Sequence, residues 1–120
     1  RPRWAVADWE GPLLKDGKTI VEKKGPPYPR SLAGIDASGR WLLLAFVEGR
    51  MNGYSEGLTL EECADIMRER GCNSAINFDG GGSATMLIAT NGILGAVGNP
   101  PGRWLRPLPV MLGIRRKLSP

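Results

Sequence analysis

The stretch Asn77-Phe78-Asp79-Gly80-Gly81-Gly82-Ser83-Ala84-Thr85-Met86 places an acid, three glycines and a hydroxyl side by side. Glycine suits backbone that must take positive φ or approach a ligand closely. Three in a row add chain entropy and no packing, so the loop has another use. Such a loop can aim N–H groups at an anion, and Ser83 adds a hydroxyl donor. Asp79 follows an apolar run and points to the same space. It reads either as a reacting carboxylate or as a cap on the loop's own N–H groups. A tight hairpin corner is the bland reading of the glycines alone. The chain has no histidine. That excludes Ser-His-Asp and Cys-His arrangements and every His-containing zinc site. Acid–base chemistry then falls to carboxylates, lysine, tyrosine or cysteine.

The elements that must position this loop follow from pattern. Ala75-Ile76-Asn77-Phe78 reads as a strand ending at Asp79. Before it, Thr59 with Glu62 forms a capping box, Leu60, Cys63, Ala64 and Met67 form one helical stripe, and Gly71 stops the helix. Trp41 to Val47 is apolar throughout, which predicts a central strand covered on both faces. Strand, helix, strand makes a βαβ crossover whose strands run parallel, so the loops at 48–58 and 79–83 leave the same carboxyl-terminal edge. Ligands sit at that edge in open α/β sheets. Asp16-Gly17, Ala37 to Arg40 and Thr90-Asn91-Gly92 mark three hairpins. Trp4 to Ala7 and Pro107 to Ile114 read as further strands. The class is α+β: a mixed twisted sheet of several hairpins with one main helix, in a single domain spanning 1–120.

Position thins the twelve carboxylates. Asp16 and Asp36 are turn residues. Glu61, Asp65 and Glu69 lie on the polar helix face, Glu22 at a strand end, and Asp8 and Glu10 before a turn. Glu48, Glu56, Glu62 and Asp79 remain near the ligand edge. Glu48 ends the apolar strand and reads as a surface or a catalytic acid. Glu62 lies opposite the apolar stripe and already serves Thr59. Cys63 and Cys72 are about 13 Å apart along a helix, too far for a disulfide, and read as buried free thiols.

The segments Gly57 to Ala64, Gly71 and Ala75 to Ser83 closely resemble the phosphodiester glycosidase family. Gly11 to Leu14 with Asp16-Gly17-Lys18 resembles its early hairpin. Pro29-Arg30-Ser31 with Gly34-Ile35-Asp36 resembles one of its strands, and Asn99-Pro100 with Arg106-Pro107 its closing segment. The resemblance implies hydrolysis of a sugar-1-phosphate diester without a cofactor or metal. It implies Asp79, Glu48 and Glu62 as catalytic acids. Arg30, Arg50 and Arg106, with Gly80, Gly81, Gly82 and Ser83, would bind the substrate, because a guanidinium grips phosphate oxygens bidentately. Three departures stand beside it. Glu48 replaces the usual Asp of an Asp-Gly-Arg triplet, Leu105 stands where a Glu often precedes Arg-Pro, and no upstream Asn-Gly-Gly-Phe-Phe-like motif occurs. The chain therefore reads as the carboxyl-terminal part of such a domain, or as a reduced version that binds a sugar phosphate without turning it over.

Composition sets the remaining bounds. A net charge of +4 gives mild attraction to anions. No basic stripe interleaved with aromatics marks a nucleic-acid footprint, and no run reaches the length of a membrane helix. The compartment stays open, with a cell-surface or virion complex as the setting for a binding module. The missing upstream strand material and Trp4, Trp9, Trp41 and Trp104 predict a second chain, second copy or upstream segment that completes the sheet.

Overall fold

The computed structural model describes residues 10–22, 24–99, 107–108 and 111–115. Its main sheet has five strands in the order β2-β1-β5-β3-β4, and a separate two-stranded ribbon pairs β6 with β7. β1 (Pro12–Lys15) and β2 (Lys18–Thr19) form the first hairpin. Its turn residues Asp16 and Gly17 both take positive φ, 51° and 73°, as a two-residue turn requires. β3 (Arg30–Ile35) and β4 (Leu42–Val47) form the second. There Asp36 accepts bonds from the N–H groups of Ser38, Arg40 and Trp41, so it is the turn residue its position predicts.

α1 (Leu60–Glu69) begins where the capping box predicts. The Glu62 N–H donates to the Thr59 hydroxyl at 3.3 Å, and the Glu62 carboxylate accepts from the Thr59 N–H at 2.8 Å. Leu60, Cys63, Ala64 and Met67 are its buried residues. They meet Leu13, Leu14, Leu32 and Ala75 of the sheet in one core. Gly34 lies under the helix. A Cβ there would sit 2.6 Å from Cys72 Sγ and 2.8 Å from Met67 Cε, so only glycine allows this approach. Both cysteines are free and buried, and burial pushes the Cys63 thiol up to about 11.

β5 (Ser74–Asn77) follows the helix. It pairs antiparallel with both β1 and β3, and β3 pairs antiparallel with β4. The α+β class holds, with two corrections of detail. The crossover strands β4 and β5 run in one direction, but β3 lies between them, so every described ladder is antiparallel. β4 is accordingly an edge strand rather than a central one. Its residues are half-buried, with Leu42 at 50 % exposure. An apolar run thus guarantees neither cover on both faces nor a place between two neighbours in the ladder.

β6 (Leu87–Thr90) and β7 (Ile93–Ala96) turn at Asn91-Gly92 as predicted, and all eight strand residues are exposed. The strand expected over 107–114 is absent among its described residues, which carry no ladder bonds. The strand expected at Trp4 to Ala7 lies outside the described residues.

Candidate functional site

Antiparallel pairing brings the first residue of β1, the first of β3 and the last of β4 and β5 to one sheet edge. The registers are Pro12 with Ile76, Leu32 with Asn77 and Arg30 with Val47. Glu10, Tyr28, the 48–50 turn and the glycine loop therefore converge. They enclose a cavity of about 180 Å³ lined by Glu10, Tyr28, Arg50, Asp79, Gly80, Gly81 and Gly82.

The glycine loop is held by its own backbone. The Gly81 N–H donates to the Pro29 carbonyl at 2.8 Å, and a 3-10 turn over Gly81–Ser83 bonds Ser83 N–H to Gly80 and Ala84 N–H to Gly81. Gly80 cannot carry a Cβ, which would lie 2.8 Å from the Pro29 carbonyl oxygen. Gly81 takes φ 57°, and its Cβ would lie 3.0 Å from Arg50 Nη2. The N–H groups of Gly80 and Gly82 have no partner among the described residues. Ser83 is buried and does not line the cavity.

Asp79 is exposed on the cavity wall and makes no hydrogen bond or ion pair with a described residue. It does not cap the glycine loop. Arg50 lines the same cavity. Its backbone takes φ 57°, a region that L-residues other than Asn, Asp and His seldom adopt. Its guanidinium lies 4.8 Å from the centroid of the Tyr28 ring, with no ion pair or hydrogen bond to a described residue.

Arg30 is placed differently from its expected role. It is 1 % exposed. Its Nε donates to the Leu58 carbonyl and its Nη2 to the Pro26 carbonyl, both at 3.1 Å, and its Nη1 pairs with the Glu10 carboxylate. A buried guanidinium needs such partners, and these leave it no open fork in the cavity. Glu10 also accepts from Asn77 Nδ2 at 3.1 Å. Asn77 is fully buried, and its Oδ1 has no partner among the described residues.

The other two acids lie elsewhere. Glu48 lines a second, wider depression of about 480 Å³ whose walls include Phe46, Leu58 and Val97. Its carboxylate accepts from the Asn99 N–H at 2.6 Å and Asn99 Nδ2 at 3.1 Å. The Asn99 N–H, then the Tyr54 hydroxyl, hold it below the usual carboxylate range. Glu62 is engaged at the helix cap, where the Thr59 N–H and hydroxyl lower it likewise. It lines neither cavity. Arg106, Trp4, Trp9 and Trp104 lie outside the described residues.

Sequence reasoning brought Asp79, Arg50 and the glycines together and missed Glu10 and Tyr28. Glu10 joins the site only because β1 pairs with β5, which no local pattern reports. Tyr28 carried one signal: an aromatic at the foot of β3, two residues before the buried Arg30.

The phosphodiester glycosidase (NAGPA) family profile matches residues 3–115. The chain belongs to the phosphodiester glycosidase family. Among solved structures it is similar to the zebrafish N-acetylglucosamine-1-phosphodiester alpha-N-acetylglucosaminidase catalytic domain auto-inhibited by its pro-peptide. That match has a TM-score of 0.61 at 26% identity and covers 78% of this chain and 36% of that one. A hypothetical protein from Synechocystis matches with a TM-score of 0.51 at 26% identity, over 69% of this chain and 16% of that one. The chain thus spans about a third of the zebrafish domain. No curated protein matches it. Among the described residues no group of three or more acid or thiol side chains is placed to hold a metal ion.

Proposed function

We propose that the cavity at this edge takes the phosphate of a glycosyl phosphodiester, and that the domain hydrolyses the bond between that phosphate and the sugar. One observation carries the reading: a carboxylate, Asp79, and a guanidinium, Arg50, both unpaired among the described residues, share a cavity floored by glycine backbone. Opposite charges left apart in one cleft suit a substrate that has an anionic group beside a centre developing positive charge.

In the reaction, water adds to the anomeric carbon and loses a proton. The bond from that carbon to the phosphate oxygen breaks, and the oxygen keeps the electron pair. Phosphate leaves readily, so neutralising its charge matters more than protonating it. Arg50 and the N–H groups of Gly80 and Gly82 supply that neutralisation. Asp79 meets the oxocarbenium-like centre. Arg30 holds Glu10 and the 24–29 and 57–58 segments in place, and so acts on the site as a positioning residue. Glu48 ties Asn99 and Tyr54 together beside the adjoining depression, within reach of the rest of the substrate. The family and the name of the zebrafish relative favour N-acetylglucosamine as the sugar.

Arg50→Lys keeps the charge and loses the fork. By calorimetry it should weaken binding of a sugar-1-phosphate diester about tenfold and leave affinity for the free sugar unchanged. Equal losses for both ligands would refute the phosphate role. A second reading, a module that binds a sugar phosphate without cleaving it, is favoured by Glu48 and Glu62 lying outside the cavity that Asp79 lines. It predicts binding with no release of sugar.

A further inference from the structure

Arg50 and Asp79 carry opposite charges in one cavity, yet they are not paired. Nothing in their charges keeps them apart. A long arginine on a turn can swing to a carboxylate, and that ion pair would occupy both groups at once. Two contacts hold Arg50 where it is. Its guanidinium lies 4.8 Å from the Tyr28 ring centroid, and its Nη2 lies against the backbone of Gly81. We propose that Tyr28 is a positioning residue: its ring holds the Arg50 guanidinium by a cation–π contact, so that Arg50 stays open to phosphate and Asp79 stays free. The proposal deepens the phosphodiester reading and rests on it.

Tyr28 is well placed for this. Its N–H donates to the Leu58 carbonyl at 3.1 Å and its carbonyl accepts from the Leu58 N–H at 3.0 Å. Gly57 packs on its backbone so closely that a Cβ there would collide. The next residue, Pro29, accepts the Gly81 N–H at 2.8 Å. Ring and glycine floor are therefore fixed to each other through one peptide segment. The buried Arg30 also approaches the ring, at 5.5 Å. Glu10 neutralises Arg30, whereas the described residues leave the charge of Arg50 to the ring. A planar guanidinium is the cation that stacks best on an aromatic face.

The test compares the 120-residue chain with Tyr28→Phe, Tyr28→Leu and Arg50→Ala. Two quantities are read: the ring-current shift of the Arg50 Nε–H resonance, and the affinity for inorganic phosphate and a sugar-1-phosphate. Melting curves confirm that each variant is folded. Tyr28→Phe should keep both the shifted resonance and the affinity within about twofold. Tyr28→Leu should lose the shift and bind phosphate about 3- to 30-fold more weakly, the range a partly desolvated cation–π contact spans. If the Arg50 resonance is unmoved in Tyr28→Leu, or if Tyr28→Phe loses as much as Tyr28→Leu, the positioning role is overturned whatever phosphate does. Wild-type chain that keeps the shifted resonance and binds no phosphate, or Arg50→Ala that binds it as tightly as wild type, overturns the phosphodiester reading and this role with it.

Discussion

Glu62 and Asp79 are both expected as catalytic acids, and their surroundings separate them. Glu62 has two Thr59 donors at 2.8 Å; Asp79 has none among the described residues. Glu62→Ala should therefore cost about 1 kcal/mol of stability, the worth of a helix cap, and leave turnover unchanged. Urea titration beside an activity assay checks both. Bonding lowers the carboxyls of Glu62 and Glu48 from the ordinary value of 4.5 in the folded state. Their contribution is fully present above the unfolded value, and it fades as pH falls through the lower folded values. Melting temperature should thus drop with acidification below about pH 4.5, less steeply in Glu62→Gln. A parallel decline in both proteins would remove Glu62 from the account. The glycines were legible as loop chemistry, but their reasons differ. Gly80 and Gly81 are required by the Pro29 carbonyl and Arg50, while a Cβ on Gly82 meets nothing within 4 Å. Gly82→Ala should accordingly be tolerated and Gly81→Ala should not.

At the scale of elements, local chemistry was readable and pairing was not. The capping box, the Leu60/Cys63/Ala64/Met67 stripe and the Asp16-Gly17 turn depend on neighbours within four residues, and the structure places each as the pattern implies. The position of β3 between β4 and β5 depends on contacts tens of residues apart, and the sequence carries no period that reports it. The same gap hid Glu10 from the site and hid the engagement of Arg30. The helix packing is testable by itself. Met67 is fully buried against the sheet, so Met67→Ala should lose on the order of 2–5 kcal/mol. A loss below about half a kcal/mol, the usual effect of surface changes, would show that α1 does not seat on β1 and β3 as described. Gly34→Ala tests the same interface from below, because its methyl meets Cys72 and Met67.

At the scale of the whole molecule the sheet has unequal edges. β2 is two residues long and carries Lys18, a guarded edge. β4 is six residues long and apolar, and its outer groups have no partner among the described residues. Another chain, copy or segment pairing along β4 would complete the sheet. Such pairing predicts concentration-dependent association by light scattering at micromolar protein, and a monomer with shielded tryptophans would refute it. The proposed hydrolysis is tested most directly by one measurement: release of free sugar from an N-acetylglucosamine-1-phosphate diester by wild type and Asp79→Asn at equal concentration. Because Asp79 is exposed and unpaired among the described residues, the variant should melt within about half a kcal/mol of wild type. Its turnover should fall by about 10²–10⁴, the usual contribution of a reacting carboxylate. Equal sugar release by the two proteins would contradict the account.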